Sequence, residues 1–331
     1  MLLSSDNSVK AQHEAVRNAV GWYDFTHKLL EVTGEDATSF LDKIYVNNIA
    51  KAKIGGAKYT TMLNEDGQII DDVIVTCMAK NTYWISTLYI PEMMQWIDSH
   101  KGDFDVDYKE LTYDVDMYSI QGPNSLKMVN QLLATPVDSL KRFAMVENKV
   151  GDIAVKVHRS GFSGENGYEV FCDIEDTKAL EEAIREAGKP FDALELTVLE
   201  VYVRSLPVEK GFALRQDFYG LNPYECDLGW SVDLDKDFIG KEATVRVKDE
   251  GPKRKLVGIE YEAPSYEDIN QGERIRLHGR DIGFVRAAIY GYTVDKNIGF
   301  AIIDVDKAKI GDKVEVGPNR SPAQIVGKQW L

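Results

Sequence analysis

The stretch Tyr59–Val75, YTTMLNEDGQIIDDVIV, decides the fold. Two apolar runs, AKYTTML and IDDVIVTCM, flank Asn64-Glu65-Asp66-Gly67. A short, polar, glycine-containing joint between two strand-like runs is a hairpin signal. The second run opens on two adjacent carboxylates, Asp71 and Asp72. Neighbours in a strand point to opposite faces, so one of the two faces inward. A carboxylate aimed at an interior or a pocket needs hydrogen-bond donors or a cationic partner. The pair therefore reads either as a turn cap at a strand edge or as a functional group tuned by its surroundings.

Outward from the hairpin, strands near HKLLEVTG, YWISTLY and FDVDYKEL and helices in ATSFLDKIYVNNI and PEMMQWIDSHK predict a small α+β unit over residues 30–110. Ahead of it, residues 7–21 read as a helix. A second unit begins at MYSIQGP, with a helix in SLKMVNQLL and strands near KVGDIAVKVHRSG and YEVFCDI. Residues 176–187 predict a helix with Asp176 as N-cap, and a further apolar helix is expected over about 193–206. The charged VKDEGPKRK at 247–255 holds Gly-Pro and marks a boundary. Beyond it, six short strands separated by turn residues predict a small β-barrel or sandwich. No internal repeat or low-complexity tract interrupts the chain.

The chain has 331 residues, enough for two or three domains. Its net charge of −15 argues against binding nucleic acid or an anionic membrane, and disfavours docking to a strongly acidic protein. No apolar run reaches the roughly 18 residues that span a bilayer. The opening MLLSSDNSVK has no basic n-region or apolar core, so no signal peptide is expected and a cytoplasmic location is. Cys77, Cys172 and Cys226 are scattered, and the five histidines show no ligand spacing, so neither a disulfide framework nor a metal site is expected.

Several motifs stand in a fixed order. GWYDFTHKLLEVTGEDATSFLD precedes the hairpin; IQGPNS, RSGFSGENGYEV, VEKGFALR and NPYECDLGWSVDLDKDFIGKEA follow it; RKLVGIE and GDKVEVG close the series. Together with the hairpin they resemble the glycine-cleavage T-protein family over roughly residues 13–318. The resemblance implies three domains around a central channel that holds tetrahydrofolate. Their expected bounds are residues 1–29 with 111–247 (the discontinuous folate-binding α+β domain), 30–110 (the α+β domain carrying Asp72) and 248–331 (the barrel). By position in the motifs, Asp72 is the catalytic carboxylate at the folate's reacting edge. Tyr59 lines the cavity, and Phe162 stands where the family has a tyrosine on the ligand. Glu169 binds the aminopyrimidine edge, where a carboxylate accepts two N–H bonds. The family arginine has no direct counterpart. Val203 occupies its place by count, and Arg204 serves with a one-residue shift.

Three functions fit the resemblance. The first is a demethylase that moves a methyl group from a small O-, N- or S-methyl donor to folate N5. The second is the T-protein reaction itself, which takes an aminomethyl group from a lipoyl carrier protein and forms 5,10-methylene-tetrahydrofolate. The third is a non-catalytic folate-binding protein. The retained Asp72 and the missing Lys-Gly-Cys-Tyr-x-Gly-Gln-Glu motif speak against the third. Gln68 replaces the second glycine of the family turn, Ser86 stands in place of an asparagine, and the chain ends Gln329-Trp330-Leu331 where the family has Pro-Phe-Tyr. Ser86, the net charge and an N-terminus shorter than the family's put the demethylase first. Elsewhere, Glu209 reads as a ligand contact or a helix-end ion pair, and His27 as a channel-wall residue or a base. Trp230 reads as core and Asp235-Lys236 as a surface turn.

Overall fold

A computed structural model describes residues 7–25 and 28–331. The chain forms three sheets, and their pairing explains where the motifs meet.

The first sheet has six strands in the order Leu194–Glu195, Gly21–Asp24, Val115–Gln121, Gly167–Asp173, Ile153–His158 and Met145–Val150. Only its first pair is parallel. One face carries Trp22, Ile120, Tyr168, Val170, Val155 and Val157, packed under the helices Ser125–Leu132 and Thr177–Gly188 through Met128, Val129, Leu180 and Ile184. Period-two alternation then puts Tyr23, Ser119, Glu169, His158 and Met145 in one row across the opposite face, each paired in register with the next.

The second sheet has five antiparallel strands in the order Ala57–Leu63, Ile69–Ala79, Thr82–Ser86, Leu29–Thr33 and Asp107–Glu110. Leu30, Val32, Val73, Val75 and Ile85 pack beneath the helices Ala37–Ile44 and Ile90–His100. The other face shows Tyr59, Thr61, Asp72, Ile74 and Ser86, again by register. The two uncovered faces meet. Trp84 lies 6.0 Å from the Phe171 ring, and Leu29, Met117 and Met145 fill the same seam. The backbones join at its edge, where Ala57 N donates to Phe143 O at 2.8 Å and Met145 N donates to Gly55 O at 2.6 Å.

The third sheet is a closed six-stranded barrel, the strands Arg254–Tyr261 and Ser321–Val326 completing the circle. Val257, Ile259, Ile275, Val285, Ile303 and Ile325 fill it. Its outer apolar face, including Ile289, Ile298 and Phe300, packs on Leu63, Ile69 and Phe218 at the hairpin's end. The architecture is thus mixed α+β with a C-terminal barrel, as the sequence predicts.

The hairpin turn is pinned from outside. Asn222 Nδ2 donates to Gly67 O at 2.7 Å, and Gly67 takes a φ of 74° that favours glycine. Gln68 is exposed and outside the left-handed region, so the lost second glycine costs this turn nothing.

Some expectations need correction. The helix expected over 193–206 gives way to the strand Leu194–Glu195, then a π-helical turn Val201–Ser205 and the helix Leu206–Glu209. Pro207 cannot donate to the residue four back, and a widened turn absorbs that missing bond. Lys236 is no surface turn residue. Its Nζ donates to the carbonyls of Asp42 and Tyr45 at the end of the helix Ala37–Ile44, and burial pushes its ammonium down to about 8. The helix Lys241–Glu250 also runs into the charged segment read as a boundary. Asp176 precedes the helix Thr177–Gly188 as expected but makes no side-chain cap bond.

Candidate functional site

The strand Ile69–Ala79 sends its two aspartates to opposite environments. Asp71 is buried on the helix-covered side, where it accepts from Thr87 Oγ1 at 2.7 Å and from Asp72 N at 3.0 Å. Arg215 Nε approaches it to 3.9 Å. That guanidinium also lies over the Tyr89 ring at 3.7 Å and the Tyr219 ring at 4.9 Å, and donates to Ile70 O at 2.5 Å. Burial pushes the Asp71 carboxyl up to about 6, with Thr87 and Arg215 opposing.

Asp72 faces the seam between the sheets and accepts from the Tyr59 hydroxyl at 3.1 Å. Burial, then the neighbouring charge of Asp71, push its carboxyl up to about 7. It is therefore poised to hold or release a proton near neutrality. Tyr59 stacks on Trp230 with ring centroids 5.5 Å apart. Trp230 is 67% exposed, so it is a rim residue rather than the core residue its sequence context suggests. Thr61 sits directly across the ladder from Asp72.

Across the seam, Glu169 is buried and Oε2 lies 3.1 Å from His158 Nδ1. These two side chains line a narrow cavity with Ile74, Thr76 and Ser86 of the other sheet. Asp72 shares its sheet face with Ile74, so Asp72 and Glu169 belong to facing surfaces of one seam. A larger open groove of about 460 Å³, along Glu147, Lys149, Lys156 and Asp173, contains none of the predicted site residues.

Phe162 rides on the loop between the strands Ile153–His158 and Gly167–Asp173, 6.0 Å from the Phe212 ring. Gln121 holds that loop: Nε2 donates to Ser119 Oγ at 2.9 Å and to Ser160 O at 3.2 Å, while Oε1 accepts from Ser163 Oγ at 2.7 Å. A Cβ at Gly161 or Gly167 would lie 2.1 Å from the Gln121 amide. That close approach explains why IQGP and SGFSGENGYE belong together.

Arg204 is engaged elsewhere. Its Nη1 donates to both carboxylate oxygens of the buried Asp217, at 3.0 and 2.8 Å, and the arginine beside the aspartate pair is Arg215. Sequence order alone does not distinguish Arg215, because its partner lies more than a hundred residues away. Glu209 is a fully buried node: it meets Arg17 at 3.1 Å, His13 at 3.1 Å, and Thr293 N and Oγ1 at 2.7 and 2.8 Å. It ties the first helix to the barrel instead of touching the seam. His27 lies outside the described residues. Among the described residues no group of His, Cys, Asp or Glu is arranged to hold a metal, the three cysteines are buried and unbridged, and no helix is long and apolar enough to cross a membrane.

Comparison with known proteins agrees with the motif order. The GCVT N-terminal domain family matches residues 4–236, and the glycine cleavage T-protein C-terminal barrel domain family matches residues 254–330. The chain belongs to the glycine-cleavage T-protein family. Relatives include an aminomethyltransferase from Bacillus pumilus, 34% identical over 94% of this chain and 86% of its own length. Another, from Thermoanaerobacter, is 31% identical over 98% of this chain and 89% of its own length. The crystal structure of glycine cleavage system aminomethyltransferase T from Bartonella henselae superposes with a TM-score of 0.86 at 23% identity, over 98% of this chain and 89% of that one, and shares the fold.

Proposed function

We propose that this chain is a tetrahydrofolate-dependent aminomethyltransferase, acting in the cytoplasm on a one-carbon unit presented by a lipoyl carrier protein. The carrying observation is the seam itself: a carboxylate held near neutrality on one sheet faces a buried carboxylate–imidazole pair on the other. The names of the relatives favour this reading over the demethylase that the sequence departures put first. The three sheets correspond, on this reading, to domains at residues 1–29 with 111–247, 30–110 and 248–331.

The residues present fit such a ligand. Thr61 Oγ1 and His158 Nε2 are buried without a partner among the described residues, one on each wall of the seam. Unsatisfied buried polar atoms are rare, and they suit a site that takes a polar heterocycle. Tetrahydrofolate, when bound, supplies the nucleophilic nitrogen N5. Glu169 accepts N–H bonds from the pterin edge, and Tyr59 and Phe162 wall the cavity. The Tyr59 hydroxyl fixes Asp72 Oδ2 in place. As a carboxylate, Asp72 stabilises positive charge that develops near it; as an acid, it gives its proton to the departing amine. Partial burial of Asp72 strengthens both effects.

The test is turnover by Asp72→Ala with tetrahydrofolate and aminomethylated carrier. Loss of transfer with the fold retained is expected. Wild-type rates would remove Asp72 from the chemistry.

A further inference from the structure

His158 is 2% exposed and stands directly opposite Glu169 in the ladder. Its Nδ1 lies 3.1 Å from Glu169 Oε2. With Glu169 as the ionised acceptor and His158 as the neutral imidazole, Nδ1–H donates this bond and Nε2 keeps a lone pair. Nε2 is buried and meets no donor among the described residues. His158 is oriented by its Nδ1 bond to Glu169. Its backbone pairs with Met145 on one side and Glu169 on the other, and the Phe143 ring lies 6.5 Å from it. A fixed, buried, unpaired acceptor costs the fold free energy unless something arrives to fill it. His158 lines the narrow cavity between the two sheets, beside the carboxylate that the proposed function assigns to the pterin edge.

We propose that His158 determines ligand specificity: its Nε2 accepts a hydrogen bond from an N–H of the same heterocycle edge that Glu169 holds. Glu169 and His158 together present acceptors only. The site thus selects a planar ring with adjacent N–H donors, such as an aminopyrimidine, and rejects a ring that turns a carbonyl toward Nε2, because two acceptors would then face each other in a dry cavity. The Nδ1–H bond also orients Glu169, so the imidazole both positions the carboxylate and reads the ligand. This inference rests on the folate reading above.

Calorimetry with tetrahydrofolate on the full-length protein tests it. His158→Asn keeps a donor near the Nδ1 position for Glu169 and lacks the distal acceptor; His158→Gln restores a polar group near Nε2. Binding about tenfold weaker is expected for His158→Asn, with most of the loss recovered in His158→Gln, as for one buried hydrogen bond. Unchanged affinity in His158→Asn while Glu169→Gln loses binding overturns the role of His158 and leaves the folate site standing. No binding by the wild-type protein overturns the folate reading, and this inference with it. Should the asparagine variant fail to fold, imidazole ¹⁵N spectra of the wild-type protein decide. The Nε2 resonance of His158 is expected to move when tetrahydrofolate is added, and an unmoved resonance under saturating ligand overturns the proposal.

Discussion

Replacing Asp72 with asparagine removes a charge that the fold holds at a cost. Burial and Asp71 keep the Asp72 carboxyl at about 7, against about 4 for an aspartate in the unfolded chain. A carboxyl raised in the folded state binds its proton more tightly there. Its contribution to stability is fully present below about pH 4 and is lost as pH rises through about 7. At about 1.4 kcal/mol per pH unit, the loss approaches about 4 kcal/mol at pH 8 and about 2 kcal/mol at pH 5.5. Asparagine keeps the shape and stays neutral at both. The stability of Asp72→Asn relative to wild type should therefore rise by about 2 kcal/mol between those two pH values, or by about half that if Asp71 takes up part of the proton. Both lie above the isoelectric point of about 4.9. Urea denaturation followed by tryptophan fluorescence at the two pH values gives the double difference, in which any pH-independent effect of the substitution cancels. A flat or falling difference would refute the reasoning, because Asp72 would then carry its charge without penalty and could not hold a proton near neutrality.

Other outcomes follow from the same geometry. The Arg215 guanidinium holds both aspartate carboxyls below where burial alone would put them, so Arg215→Met should move the acidic limb of the pH–rate profile up by about one pH unit; an unmoved limb would disconnect Arg215 from the pair. Glu209→Ala takes a buried carboxylate from Arg17, His13 and Thr293, leaving Arg17 its pair with Glu165, and should lower stability by about 3 kcal/mol, read as a drop in the melting midpoint. Glu169→Gln should weaken tetrahydrofolate binding in calorimetry while leaving the melting midpoint nearly unchanged, and unaltered affinity would take Glu169 out of the site.

Much of the fold is legible in the sequence, and the reasons differ by residue. The hairpin around Gly67 and the barrel strands show because local alternation and turn chemistry set them. Motif order singles out Tyr59, Asp72 and Glu169, and register puts them on the faces that meet. Strand alternation implies that Asp71 and Asp72 diverge, but not that desolvation raises both carboxyls, because that depends on what covers each face. Arg215, Gln121 and His158 act through partners distant in sequence or across a ladder, and no spacing rule reaches them. Trp230 misleads because an apolar context suggests burial, yet its ring covers Tyr59 at the rim. Arg204 misleads because position in a motif does not show that Asp217 already holds its guanidinium.

The central claim is that the seam runs aminomethyl transfer to folate through Asp72. The most direct measurement is product analysis after incubating the protein with tetrahydrofolate and, separately, an aminomethylated lipoyl carrier and small methyl donors. The account predicts 5,10-methylene-tetrahydrofolate with ammonia from the carrier, and none with Asp72→Ala. Formation of 5-methyl-tetrahydrofolate from a methyl donor alone, or no folate product from either source, would contradict it.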